Sequence, residues 1–178
     1  MKAEQYDLIT RSIHWLSAFA IIGLFALGLW MVELNYYSDW YRTAPHWHKS
    51  IGILVAILTI VRLVWKRFTT HPEIEGKRYE VVAAKAAHHT LYLLLFVLFV
   101  SGYMISTADG RSIDVFDWFA VPGAGEFFPN QADIAGQVHF YVACTVIGLA
   151  SLHALAALKH HFINKDNTLR KMLGVKGK

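Results

Sequence analysis

A chain of 178 residues in which 55% are hydrophobic and only 17% charged is too apolar for water to be its main solvent. Its net charge of +4 comes from a lopsided distribution along the chain, so the basic balance is no argument for nucleic acid. A lone cysteine, Cys144, rules out an internal disulfide and is expected to be a small packed core residue.

The apolar residues gather into four runs, each long enough to cross roughly 30 Å of hydrocarbon as a helix. The first, about residues 12–34, lacks the small-residue cleavage site of a signal peptide and is kept in the mature fold. Trp30, Tyr36, Tyr37, Trp40, Tyr41 and Trp47 follow as an interfacial aromatic belt. The second span covers about 46–65 and the third about 83–108, joined by a short charged loop. A longer loop with Trp118, Pro122, Gly123, Gly125 and Pro129 leads to the fourth, about 134–162. Neither loop is large enough for a second domain, so residues 1–178 read as one all-α integral membrane four-helix domain.

With an even number of spans both termini share a side. That side holds fourteen basic and six acidic residues, including Lys2, Lys176 and Lys178, while the other has three basic residues, Arg42, Lys49 and Arg111, and seven acidic ones. Basic residues favour the cytoplasmic side of short loops, so both termini are placed in the cytoplasm.

The sequence contains no GxGxxG, no phosphate loop and no repeat, so any catalytic chemistry needs a bound cofactor. The ten histidines supply the means to hold one, because imidazoles are costly in lipid without a partner. His14 lies near the inner start of span one and His48 near the outer start of span two, while His139 and His153 sit toward opposite ends of span four. Fourteen residues of helix rise about 21 Å and return within about 40° of whole turns, so the last two share a face. A b-type haem can be held by two neutral imidazoles. His14 matches His153 in depth and His48 matches His139, an arrangement that stacks two haems through the membrane.

His46 competes with His48, but the two point about 200° apart on a helix; His48, which shares a face with Gly52, is the expected ligand. Gly23, Gly28, Gly52, Gly102 and Gly148 are expected to allow close approach of helices or a flat macrocycle. His160 lies about 10.5 Å beyond His153 and within about 20° of the same stripe. There it could hydrogen-bond a substrate carbonyl and deliver a proton, the catalytic role assigned to it. Arg11 and Ser12, at the mouth of span one, could hold the head group of such a substrate or a haem propionate. Arg62 is expected to pair with a propionate, and His71 to be solvated.

Five segments, R-S-I-H-W at Arg11–Trp15, H-K-S-I-G at His48–Gly52, H-H-T-L-Y at His88–Tyr92, the paired histidines of span four and the ending H-H-F-I-N-K-D-N-T-L, resemble the bacterial diheme cytochrome b561 family. The core is also similar to the cytochrome b subunits of hydrogenases and formate dehydrogenases. The resemblance implies haem ligation by His14, His48, His139 and His153, with two haem b groups and ubiquinone near the cytoplasmic haem. His88 and His89 lie on the helix that the family does not use for ligation. The implied function is electron transfer in the bacterial inner membrane from an outer-face donor to ubiquinone; some members are described as superoxide oxidases. The alternative is a membrane anchor and electron conduit for a separate dehydrogenase or hydrogenase, and a haem-free transporter or scaffold is a third class. The acidic outer face would repel superoxide unless Arg42, Lys49 or Arg111 acts as a local funnel.

Overall fold

The side chain of Asp7 starts the first helix: its carboxylate accepts the Thr10 backbone N–H at 2.9 Å and the Thr10 hydroxyl at 2.5 Å, meeting donors that the first turn leaves free. The structure, a computed structural model, describes residues 4–175; Lys2, Lys176 and Lys178 lie outside the described residues. Helix α1 spans Leu8–Met31, α2 Thr43–Trp65, α3 Arg78–Thr107 and α4 Gln131–Lys159. All four are long and apolar enough to cross a membrane. They begin a few residues before the apolar runs, because polar first turns such as that of α3, where Glu80 accepts the Lys77 backbone N–H at 2.8 Å, are already helical.

Between α3 and α4 an antiparallel hairpin pairs β1 (Ile113–Val115) with β2 (Phe119–Val121), Asp114 standing opposite Ala120. Its turn residue Phe116 has a left-handed φ of 47°. The fully buried Ser50 hydroxyl of α2 secures it, donating to the Asp114 carbonyl at 3.2 Å and accepting the Phe116 N–H at 3.0 Å. Past α4 the helix widens into a π-helical turn, His160–Asn164, stops at Lys165 with φ 57°, and gives way to the short α5, Thr168–Leu173.

The bundle is dressed for lipid. Phe19, Leu93, Phe96 and Leu152 are more than 60% exposed, while the buried set includes Ser17, Ser50, Thr59, Ser101 and Thr107. In hydrocarbon an apolar surface costs nothing and close packing favours small residues. The hydroxyls of Thr59, Ser101 and Thr107 are satisfied along the helix, as when Thr59 donates to the Val55 carbonyl at 2.8 Å. Cys144 departs from expectation, since it is exposed rather than packed in the core. In lipid an apolar run marks the helix that spans, not the face that turns inward.

Helices α1 and α2 pack along each other, as do α3 and α4, while α1 barely touches α4 and α2 meets α3 only lightly. The two helix pairs face each other across a row of histidines.

Candidate functional site

The row is built from three helices. His48 of α2 faces His139 of α4 with ring centres 6.2 Å apart, and His14 of α1 faces His153 of α4 at 6.5 Å. A metal–imidazole bond of about 2.0 Å, with about 1.1 Å from nitrogen to ring centre, puts two trans imidazole centres about 6.2 Å apart. Both pairs have that spacing. The ring planes cross at 69° and 74°. Among the described residues no three His, Cys, Asp or Glu side chains converge to cage a bare ion, whereas a metal carried in a macrocycle needs only two axial ligands.

The surroundings of His139 set its chemistry. Its Nδ1 lies 3.0 Å from the Leu98 carbonyl and 3.2 Å from the Ser101 hydroxyl. A carbonyl only accepts, so the ring donates there and keeps the Nε2 lone pair for a metal. Gly102 makes room: a Cβ at that position would stand 3.0 Å from His139 Cε1, and one at Gly28 would stand 3.2 Å from His48 Cε1. At Gly23, Gly52 and Gly148 a Cβ would meet nothing within 4 Å, so no neighbouring helix packs closely on those glycines.

At the level nearer the chain termini Arg62 donates from Nη2 to His14 Nδ1 at 3.0 Å and lies over the Tyr92 ring at 5.6 Å. His88 stands 5.1 Å from His153, closer than either of the two facing pairs. His89 turns away and bonds the Lys85 carbonyl at 2.8 Å. His46 packs edge-on against Phe116 at 5.8 Å and leaves the row to His48. His71 differs from a solvated loop residue, with Nε2 at the Lys66 carbonyl, 3.1 Å away, and its ring against Tyr6.

Residues 5–175 match the family model described as prokaryotic cytochrome b561. The chain belongs to that family. It is 49% identical over 173 residues to cytochrome b561 homolog 2 of Escherichia coli (strain K12), covering 96% of this chain and 92% of that protein. It is 31% identical over 173 residues to the probable superoxide oxidase CybB of Yersinia pestis, covering 96% of each. With cytochrome b561 homolog 1 of Escherichia coli (strain K12) the identity is 28% over 169 residues, covering 90% of this chain and 92% of the other. As a prokaryotic cytochrome b561 the chain is a bacterial membrane electron-transfer protein and an oxidoreductase, and the family implies haem b.

The end of the bundle that carries the chain termini holds the remaining expected residues of this cytochrome b561. His160 opens the π-helical turn and its Nδ1 meets the Asp166 carboxylate at 2.5 Å. Partial burial works against charge on Asp166, yet hydrogen bonds from His160 and Thr168 outweigh it and hold the carboxyl below the usual carboxylate range. Arg11 is half-buried and packs across Gly174, whose φ of 74° and missing side chain leave the guanidinium its place; Ser12 is exposed. Asp166, Ser101 and Gln131 escaped the sequence reading. The first lies inside a motif already noted, but only a left-handed Lys165 returns it to His160, and a lysine gives no sign of that conformation.

Proposed function

We propose that this cytochrome b561 holds two b haems, one between His48 and His139 toward the outer face and one between His14 and His153 toward the inner. In this reading it passes electrons from an outer-face donor to ubiquinone. The carrying observation is the pair of imidazole couples at ligand spacing, set 14 residues apart on α4. Bound haem would supply one-electron storage at its iron. The residues would supply the rest: imidazole ligands, glycines that clear the rings, and a dry apolar sheath. A guanidinium only donates, so His14 would bind iron only after Arg62 leaves Nδ1, and an anionic propionate is the partner suited to draw it away.

The quinone is assigned to the inner face at His160, with Arg11 and Ser12, at the mouth of α1, assigned to its head group or to a haem propionate. Both termini are assigned to the cytoplasm and the protein to the inner membrane. The name of the Yersinia pestis relative supports superoxide as a candidate donor. Reduced-minus-oxidised spectra with haem quantitation test the cofactor assignment. Two haems per chain are expected, falling to one in His14→Ala or His48→Ala, and a single haem in the native protein refutes it. Ubiquinone reduction by the purified protein with superoxide, set against His160→Ala, tests the substrate assignment; full turnover in the variant refutes it. A dehydrogenase that co-purifies and is needed for turnover would favour the conduit subunit.

A further inference from the structure

The inner end of α4 is folded back on itself around one carboxylate. Lys165 adopts φ 57° and the Asp166 N–H returns to the His160 carbonyl at 3.2 Å, which brings Asp166 Oδ2 onto His160 Nδ1. Oδ1 of the same carboxylate accepts the Thr168 N–H at 2.9 Å, so its position is held from both sides. The two side chains are only 12% and 15% exposed. Gly76, at φ 122°, lets the α2–α3 loop pass so near that a Cβ would stand 3.1 Å from His160 Cε1.

Other charges surround the ring, but cations already answer them. Glu80 on α3 pairs with Lys159 on α4 at 2.6 Å, and Glu75 in the preceding loop pairs with Lys171 on α5 at 2.5 Å. Tyr79 lies near Lys159, the adjoining His161 packs edge-on against Phe162, and the uncharged Asn164 amide lies 3.2 Å from His160 Nδ1. Among the described residues Asp166 is the carboxylate bonded to the His160 ring itself.

We infer that Asp166 is a positioning residue for proton delivery to the quinone, fixing Nδ1–H on His160 and stabilising the doubly protonated ring so that Nε2–H is the proton given. The inference rests on the assignment of a quinone to His160. Reduction of a quinone to quinol takes two electrons and two protons. The electrons arrive one at a time by the family's membrane electron transfer. The His160 Nε2–H bond breaks as an O–H bond forms on the reduced quinone, the ring is left neutral with Nδ1–H still on Asp166, and water at the inner face reprotonates it before the second transfer.

The test uses haem-loaded protein, reduced with dithionite, freed of excess reductant and mixed with decylubiquinone while the b-haem absorbance is followed across about pH 5 to 9. Asp166→Asn keeps the shape and removes the charge. Its alkaline fall in rate should move toward acid by about one pH unit, with the KM for quinone and the haem spectrum unchanged. Asp166→Glu, which restores the charge, should return the profile, and His160→Gln should be slow at every pH. A wild-type profile in Asp166→Asn, or an equal acid shift in Asp166→Glu, overturns the role of Asp166 while the quinone assignment stands. Full rate in His160→Gln overturns both.

Discussion

Replacing Gly102 by alanine asks one methyl group to share the space of His139. The new Cβ would lie 3.0 Å from Cε1 and 3.3 Å from Nδ1 of that ring, against about 3.5–4.0 Å for relaxed carbon contacts. The ring must retreat by about half an ångström. Its Nδ1 is fixed by the Leu98 carbonyl at 3.0 Å, so it cannot move without weakening the bond that sets its tautomer. Overpacking costs about 1–3 kcal/mol, and losing an outer hydrogen bond to a metal-binding histidine costs about 10–100-fold in affinity. Purified Gly102→Ala should therefore lose the outer haem first, visible as haem content falling toward one per chain with the inner spectrum intact. Gly28→Ala, whose Cβ would stand 3.2 Å from Cε1 of the facing His48, should lose the same haem. Full haem content in Gly102→Ala would refute the reasoning.

Gln131 is fully buried and bonds the Met104 and Gly125 carbonyls and the Phe127 N–H at 3.0, 3.3 and 2.8 Å. Gln131→Leu strands all three groups and should cost about 2–4 kcal/mol, read as lower thermal stability in detergent without loss of the inner haem. Lys171 holds Glu75 below the usual carboxylate range chiefly by its hydrogen bond, and Asp166 is lowered as well. Both carboxyls are depressed on folding, so their stabilisation is full above about pH 4 and fades as pH falls through the lower folded values. Hydrogen exchange in 165–175 should therefore quicken on acidification while the spans stay protected. Arg62→Gln removes the cation that stands beside His14 and would pair with a propionate in the loaded protein, and should lower the inner midpoint potential by tens of millivolts, on the order expected for one partly screened charge; an unchanged potential in a redox titration counts against the inner pair.

The histidine pairs were legible because depth and helical period are both written in residue spacing. Two imidazoles 14 residues apart on α4 share a face in any regular helix, and the 200° between His46 and His48 forces a choice that Phe116 then makes visible. Other features depend on departures from regularity. Asp166 reaches His160 only through a π-helical turn and a left-handed lysine, and Gln131 matters only because the loop before it folds over the end of α3. Cys144 was misjudged for a different reason, because hydropathy in lipid no longer separates inside from outside.

The donor side can be argued from charge. Of the three outer cations, Arg111 is engaged by Asp109, with Nε at 2.6 Å and Nη2 at 2.5 Å from the same oxygen. It is neutralised locally and adds little to any attraction for an anion. Arg42 and Lys49 are exposed and, among the described residues, form no ion pair. Lys49 follows His48, the proposed outer ligand, directly in the chain. An anionic donor approaching a face with seven acidic residues would therefore be steered by Arg42 and Lys49, over a distance set by a Debye length of about 8 Å at physiological salt. A neutral reductant needs no such focus, and its reaction would be nearly insensitive to salt.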